Sequence, residues 1–391
     1  MKKHWDIFCK IVDNFGDIGV CWRLAKQLRD EHKLSIRLFV DDLQAAQKII
    51  SDLKVDLNQQ NIDEIYVLSW HAETDFTDVA DVVIEAFACE LPADYLSAMT
   101  HKKSKLNQQT TWVNLEYLSA ESWVDDFHAK PSPQVNGLIR HFYFPGFTET
   151  TGGLIRENNI AAQLQHLRVT SFPRRRESIL NLETNWIPAC AGMTEGGRNE
   201  NSLKVSLFCY PYAPIESLLT VMAESNQPID CYVPISSILP NIEHFLGLSI
   251  LEEGKKYSYK NLNLHVLPFL SQADYDQLLA ACDINFVRGE DSWLRAVWAG
   301  KPFIWQPYFQ DEDTHMQKLT AFLDVFYANS DAKKVISAIH NAWVAGELTT
   351  IIWQDYLKQL THISADTLRQ SQQLAQQTDL AAKLVIFCNK N

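Results

Sequence analysis

The chain has 391 residues, 46% hydrophobic and 21% charged, with a formal net charge of −13. At roughly 150 residues per domain this length predicts two domains, and the composition excludes a generally disordered chain. The acidic balance argues against a general nucleic-acid binder, which needs a basic surface to neutralise phosphates, and fits a basic partner. The eight cysteines are scattered singly without zinc-type spacing, so they read as buried thiols of a reducing compartment. No stretch approaches about 18 uninterrupted apolar residues and no cleavable leader is evident, so the expected location is cytoplasmic, away from membranes.

In chain order, Trp5–Val12 reads as a strand and Val20–His32 as a helix, joined by a loop Asp13-Asn14-Phe15-Gly16-Asp17-Ile18-Gly19. Further strands are predicted at Ile36–Val40, Ile65–Leu68, Val82–Glu85 and Thr111–Leu115. Strands alternating with helices imply a parallel sheet. The alternation restarts near residue 203, with strands at Lys204–Tyr210, Ile229–Val233, Leu264–Leu267, Ile284–Val287 and Pro302–Trp305. Helices are predicted at Ile215–Ser225, Asp274–Ala281 and Ser292–Ala299, and the chain from about Ala332 onward reads as largely helical. The expected organisation is an N-terminal Rossmann-like domain over 1–167, a second over 202–365, and a C-terminal helix in 366–391 that crosses back to the first. Residues 168–201, which include Arg174-Arg175-Arg176, break the rhythm and read as an inserted surface loop.

The loop after the first strand lies at the sheet edge where open α/β folds bind ligands. It lacks Gly-x-Gly-x-x-Gly, and Asp13 and Asp17 would repel a pyrophosphate, which argues against a dinucleotide site. Asp17 is a candidate general base; the alternative is that Asp13 or Asp17 caps the following helix. In the second half, Arg288-Gly289-Glu290-Asp291-Ser292 stands between a strand and a helix. Arg288 offers a planar fork for a diphosphate, the helix amides attract anions, and Glu290 can accept hydrogen bonds from sugar hydroxyls. The alternative there is a capped helix with a salt bridge. The aromatic strand exits Phe208–Tyr212 and Pro268–Gln272 suit a nucleotide pocket or, alternatively, the core. His315, beside acidic residues, receives no chemical role.

Together, Trp5–Cys9, Val12–Ala25, Phe144–Phe147 and Phe286–Gln306, with Trp298-Ala299-Gly300-Lys301-Pro302, resemble the EarP family of bacterial protein-arginine rhamnosyltransferases. The resemblance spans nearly the whole chain outside the insert. It implies an α/β GT-B fold of two Rossmann-like domains facing a cleft, and inverting transfer of rhamnose from TDP-β-L-rhamnose, without a metal, to an arginine of translation elongation factor P. It also implies that Asp17 is the base and Asp13 a supporting acid. Phe208, Tyr210, Phe269, Gln272, Arg288, Glu290, Asp291 and Ser292 match donor-binding positions. Asn14, Phe15, Gly16 and Gly19 complete the acceptor-side loop, and Gly289 the donor clamp. Two other classes remain at this point: a different sugar-nucleotide enzyme such as an epimerase, and a non-catalytic binding protein on the same fold.

Overall fold

The computed structural model describes residues 3–13, 15–71, 74, 76, 78–166 and 202–390. The expected insert at 168–201, with its arginine run, lies wholly outside them, and so does Asn14. The chain divides into two compact units, one of residues 1–162 with 374–391 and the other of residues 163–373. The return to the first unit therefore falls at Leu374, within the expected terminal helical segment. No helix among the described residues is long and apolar enough to cross a membrane.

The first unit holds an eight-stranded sheet: β1 (His4–Cys9), β2 (Ser35–Val40), β3 (Gln59–Ile62), β4 (Ile65–Ser69), β5 (Val82–Ala86), β6 (Thr111–Leu115), β7 (Pro131–Pro133) and β8 (Ile139–Tyr143). Their spatial order is β3-β4-β2-β1-β5-β6-β8-β7. The interior is parallel, as the alternation predicts, but β3 and β7 pair antiparallel at the two edges. From β1 the chain builds outward through β2 and β4, then returns to β5 on the other flank of β1. Such a reversal opens a crevice at the carboxyl ends of β1 and β5, the usual ligand position of an open α/β sheet. β5 and β6 are buried along their whole length, as strands covered on both faces must be.

Five helices follow in this unit before the crossover: α1 (Gly16–His32), α2 (Leu43–Ile49), α3 (Ala93–Leu106), α4 (Trp123–Phe127) and α5 (Asn158–His166), the last straddling the boundary. An aromatic cluster of Phe8, Phe39, Trp70, Phe76 and Tyr95 fills one side of the sheet, with Phe8 stacked on Phe39 at 4.4 Å. Beneath it, fully buried Asp6 takes two 2.7 Å hydrogen bonds from Arg37 and one of 2.6 Å from the Tyr95 hydroxyl. A buried carboxylate is tolerated when every oxygen is met in this way.

The second unit repeats the plan with β9 (Leu203–Leu207), β10 (Ile229–Pro234), β11 (Lys256–Tyr259), β12 (Leu262–Leu267), β13 (Ile284–Arg288) and β14 (Phe303–Gln306), ordered β11-β12-β10-β9-β13-β14. Only β11 is antiparallel. The reversal lies between β9 and β13, so their exits form this unit's crevice. Among the described residues its helices are α6 (Ile215–Ala223), α7 (Leu239–Leu246), α8 (Gln272–Ala281), α9 (Asp291–Ala299), α10 (Thr314–Phe326), α11 (Lys333–Ala345), α12 (Thr350–Lys358) and α13 (Leu360–Leu374).

The last helix, α14 (Leu380–Lys390), belongs to the first unit. Gln27 of α1 donates to Asp379 at 3.0 Å, and the Leu380 amide donates to the Leu154 carbonyl at 2.9 Å. The seven described cysteines are buried, and none of them forms a disulfide among the described residues.

Candidate functional site

At the exit of β1 the structure differs from the predicted loop. α1 begins at Gly16, four residues earlier than its apolar periodicity suggests, so Asp17 stands in the first helical turn. The Gly16 amide closes a turn onto the Asp13 carbonyl at 2.7 Å, and the Gly19 amide already reaches the Phe15 carbonyl at 2.9 Å. Phe15 occupies the capping position and makes no side-chain cap. A Cβ on Gly16 would lie 2.9 Å from Asp13 Oδ2, so a residue without a side chain is what lets the Asp13 carboxylate sit there.

Asp17 does not cap α1. Its Oδ2 accepts from the amides of Val12 at 2.7 Å and Asp13 at 2.9 Å, which precede the helix. Its Oδ1 meets the Tyr117 hydroxyl at 3.4 Å. The residue is 2% exposed. Burial raises its carboxyl above the ordinary range, with the Asp13 charge pushing the same way and the amides and the Tyr117 hydroxyl opposing. The product is an aspartate held in place by the backbone and made more basic by its surroundings.

Two side chains beside it carry no sequence motif. Tyr117 follows β6, and Phe87 follows β5; their rings stack at 4.4 Å and 14°. The rule that pointed to the exits of β1 and β13, that ligands gather at strand carboxyl ends, also points to these two.

In the second unit β9 stops at Leu207, short of the predicted strand end at Tyr210, so Phe208 and Tyr210 lie in the loop beyond the strand instead of within it. Between their rings lies Arg288, the last residue of β13, with its guanidinium carbon 4.6 Å from each ring centroid. Arg288 is 6% exposed, and its buried Nη1 meets no hydrogen-bond acceptor within the protein. The alternative reading of this loop as a capped helix with a salt bridge therefore finds no support at Arg288 Nη1. The Arg288 main chain is pinned by Ser292, whose Oγ accepts from the Arg288 amide at 3.0 Å and donates to the Arg288 carbonyl. Gly289 adopts φ +58°, a left-handed conformation that favours glycine, and its carbonyl accepts from Trp305 Nε1 at 2.8 Å. Glu290 then caps α9 by position but without a side-chain cap, and Asp291 opens the helix.

The remaining predicted residues lie at other strand exits and helix starts of the same unit. Tyr210 donates its amide to Gln306 Oε1 at 3.0 Å and stacks on exposed Tyr212 at 5.1 Å. Phe269 is partly exposed beyond β12, and Gln272 is the buried first residue of α8, whose cap is Ser271. His315 is buried, with Nδ1 3.0 Å from the Gln310 carbonyl. Thus each unit brings its own share of the predicted residues to its own reversal point: Asp13, Phe15, Gly16, Asp17 and Gly19 in one, and Phe208, Tyr210 and Arg288–Ser292 in the other, while Phe269 and Gln272 lie at the exit of β12, two strands from β9.

Two Rossmann-like units with a ligand crevice each define the GT-B class of glycosyltransferases. The family model described as Elongation-Factor P (EF-P) rhamnosyltransferase EarP matches residues 5–389, and the chain belongs to that family of rhamnosyltransferases. It is 40% identical over 389 residues to the protein-arginine rhamnosyltransferase of Pseudomonas putida, covering 99% of each chain. To the protein-arginine rhamnosyltransferase of Pseudomonas aeruginosa it is 38% identical over 385 residues, 98% of each. A solved structure described as the structural basis for EarP-mediated arginine glycosylation of translation elongation factor EF-P superposes over all of both chains with TM-score 0.67 and 29% identity.

Proposed function

We propose that this protein transfers L-rhamnose from TDP-β-L-rhamnose to one arginine of translation elongation factor P, with inversion at the anomeric carbon and without a metal ion. Family membership supports arginine rhamnosylation; the buried, acceptor-less Nη1 of Arg288 carries the donor assignment. An unpaired buried guanidinium is costly, and an anionic ligand with oxygens spaced like a diphosphate relieves that cost. Phe208 and Tyr210 keep its plane fixed, the amides at the start of α9 add positive potential, and Glu290 takes sugar hydroxyls.

On the acceptor side, the difficulty is a guanidinium with pKa above about 12, a poor nucleophile. Asp17 pairs with it, concentrates electron density on one nitrogen and accepts the proton from that nitrogen as the new bond forms. The carbon–nitrogen bond forms at the anomeric carbon while the carbon–oxygen bond to the diphosphate breaks, its electron pair leaving with TDP. Asp13 keeps Asp17 basic through like charge. Arg288 takes the charge of the leaving diphosphate, a task a metal ion performs in other phosphate sites.

Incubation of the protein with TDP-rhamnose and elongation factor P, followed by weighing the acceptor, tests the reading. One added deoxyhexose, insensitive to EDTA and lost when the target arginine is changed to lysine, supports it. Turnover of free TDP-rhamnose with no acceptor, or binding without turnover, sinks it in favour of an epimerase-like enzyme or a binding protein.

A further inference from the structure

The stacked Phe87 and Tyr117 rings stand beside Asp17 on an unusual backbone. β5 ends at Ala86 and the chain turns at once, the Cys89 amide bonding back to the Ala86 carbonyl at 3.2 Å. Phe87 and Ala88, the central pair of this turn, have φ +56° and +52°. Turns with two left-handed central residues normally use asparagine or glycine, and a bulky residue there persists only when its surroundings hold it. Here they do. The Phe87 amide bonds to the Leu115 carbonyl at 2.7 Å, the Ala88 amide to Asn114 Oδ1 at 3.1 Å, and the Glu90 amide to Glu85 Oε1 at 3.1 Å. Asn114 and Glu85 are both buried. Two buried polar side chains thus secure a strained turn whose visible product is a phenyl ring laid flat on Tyr117.

Tyr117 keeps 39% of its surface exposed while Phe87 fixes its plane and its hydroxyl reaches Asp17 Oδ1. Oδ2 is engaged by two amides, which leaves Oδ1 as the oxygen with spare capacity. An immobilised, electron-rich ring next to a carboxylate oxygen matches a guanidinium in shape and charge, because that group stacks on aromatic faces while its edge donates to carboxylates. We infer that the Phe87–Tyr117 stack is the element that reads the acceptor arginine, receiving the planar guanidinium against Tyr117 with its edge on Asp17 Oδ1. This inference rests on the reading of arginine as the acceptor. Phe87 acts through Tyr117 and is a positioning residue.

Steady-state kinetics of the full chain, with TDP-rhamnose and elongation factor P varied separately, test the idea. Tyr117→Ala is expected to raise the acceptor KM by about tenfold or more and leave the donor KM within about twofold. Tyr117→Phe returns the acceptor KM most of the way, since the ring remains. Phe87→Gly is the sharper variant: glycine suits φ +56°, so thermal stability is held or improved, yet the acceptor KM rises by about three- to tenfold. An unchanged acceptor KM in Tyr117→Ala, or Phe87→Gly that loses stability and keeps its KM, overturns the inference alone. A wild-type chain that transfers no rhamnose to elongation factor P overturns the parent reading and this one with it.

Discussion

At the exit of β1 a carboxylate is buried and answered by two backbone amides of its own unit, whereas at the exit of β13 a guanidinium is buried between two rings with an Nη1 that meets no acceptor in the protein. The first charge is satisfied by the fold and only modulated in strength: burial and Asp13 make Asp17 more basic while the amides keep it in place. The second is fixed in position by ring stacking, but its hydrogen-bonding capacity is left over for a ligand. A proton acceptor has to be present and oriented before its substrate arrives; an anion clamp works best when the anion itself completes it. The same strand-exit geometry therefore supports two different devices.

The largest expected effect breaks the first device. Asp17→Asn keeps the size and most of the hydrogen bonding but cannot take the proton, so single-turnover transfer falls by about 10³ while TDP-rhamnose binds as before. Near-normal transfer in that variant removes Asp17 from the role of base. Arg288→Ala breaks the second: affinity for TDP-rhamnose, titrated calorimetrically, falls by about 10- to 100-fold, and affinity for elongation factor P stays within about twofold. The same variant also loses the rise in melting temperature that TDP gives the wild-type protein, because a ligand stabilises the state that binds it.

A smaller effect separates the parts of the first exit. Gly16→Ala places a Cβ where Asp13 Oδ2 now lies, so the Asp13 carboxylate must rotate. Turnover is expected to drop about three- to fivefold, although alanine favours the helix by about 1 kcal/mol and the melting temperature does not fall. The least dramatic is a position on the pH axis. The base works deprotonated, and its carboxyl is raised, so the acid limb of kcat/KM lies above the ordinary aspartate value of about 3.9. A limb at or below that value contradicts the buried environment of Asp17.

Much of this was legible in the sequence, and for identifiable reasons. Alternating strands and helices gave both sheets, and Asp17 and Arg288 stood out because each follows a strongly apolar strand in a stretch rich in charge. The start of α1 is hidden in the sequence because Gly16 and Gly19 look like loop residues, whereas the turn from Gly16 to the Asp13 carbonyl already commits the chain to helix. The edge strands β3, β7 and β11 were silent; they are three or four residues long and largely polar, as edges exposed to water tend to be. Phe87 left no trace because a left-handed turn built from Phe and Ala lacks the Gly or Asn that announces one. Its conformation is imposed by Asn114 and Glu85, which are distant or unremarkable in sequence.

The return of α14 to the first unit also sets an order of events during synthesis. The partners of Gln27 and of the Leu154 carbonyl leave the ribosome only after the whole of the second unit has been translated. The second unit, contiguous in sequence, can therefore finish folding while the first still waits for its last helix, the reverse of the usual N-terminal-first maturation. A nascent chain of this protein therefore carries its unfinished half at its leading end.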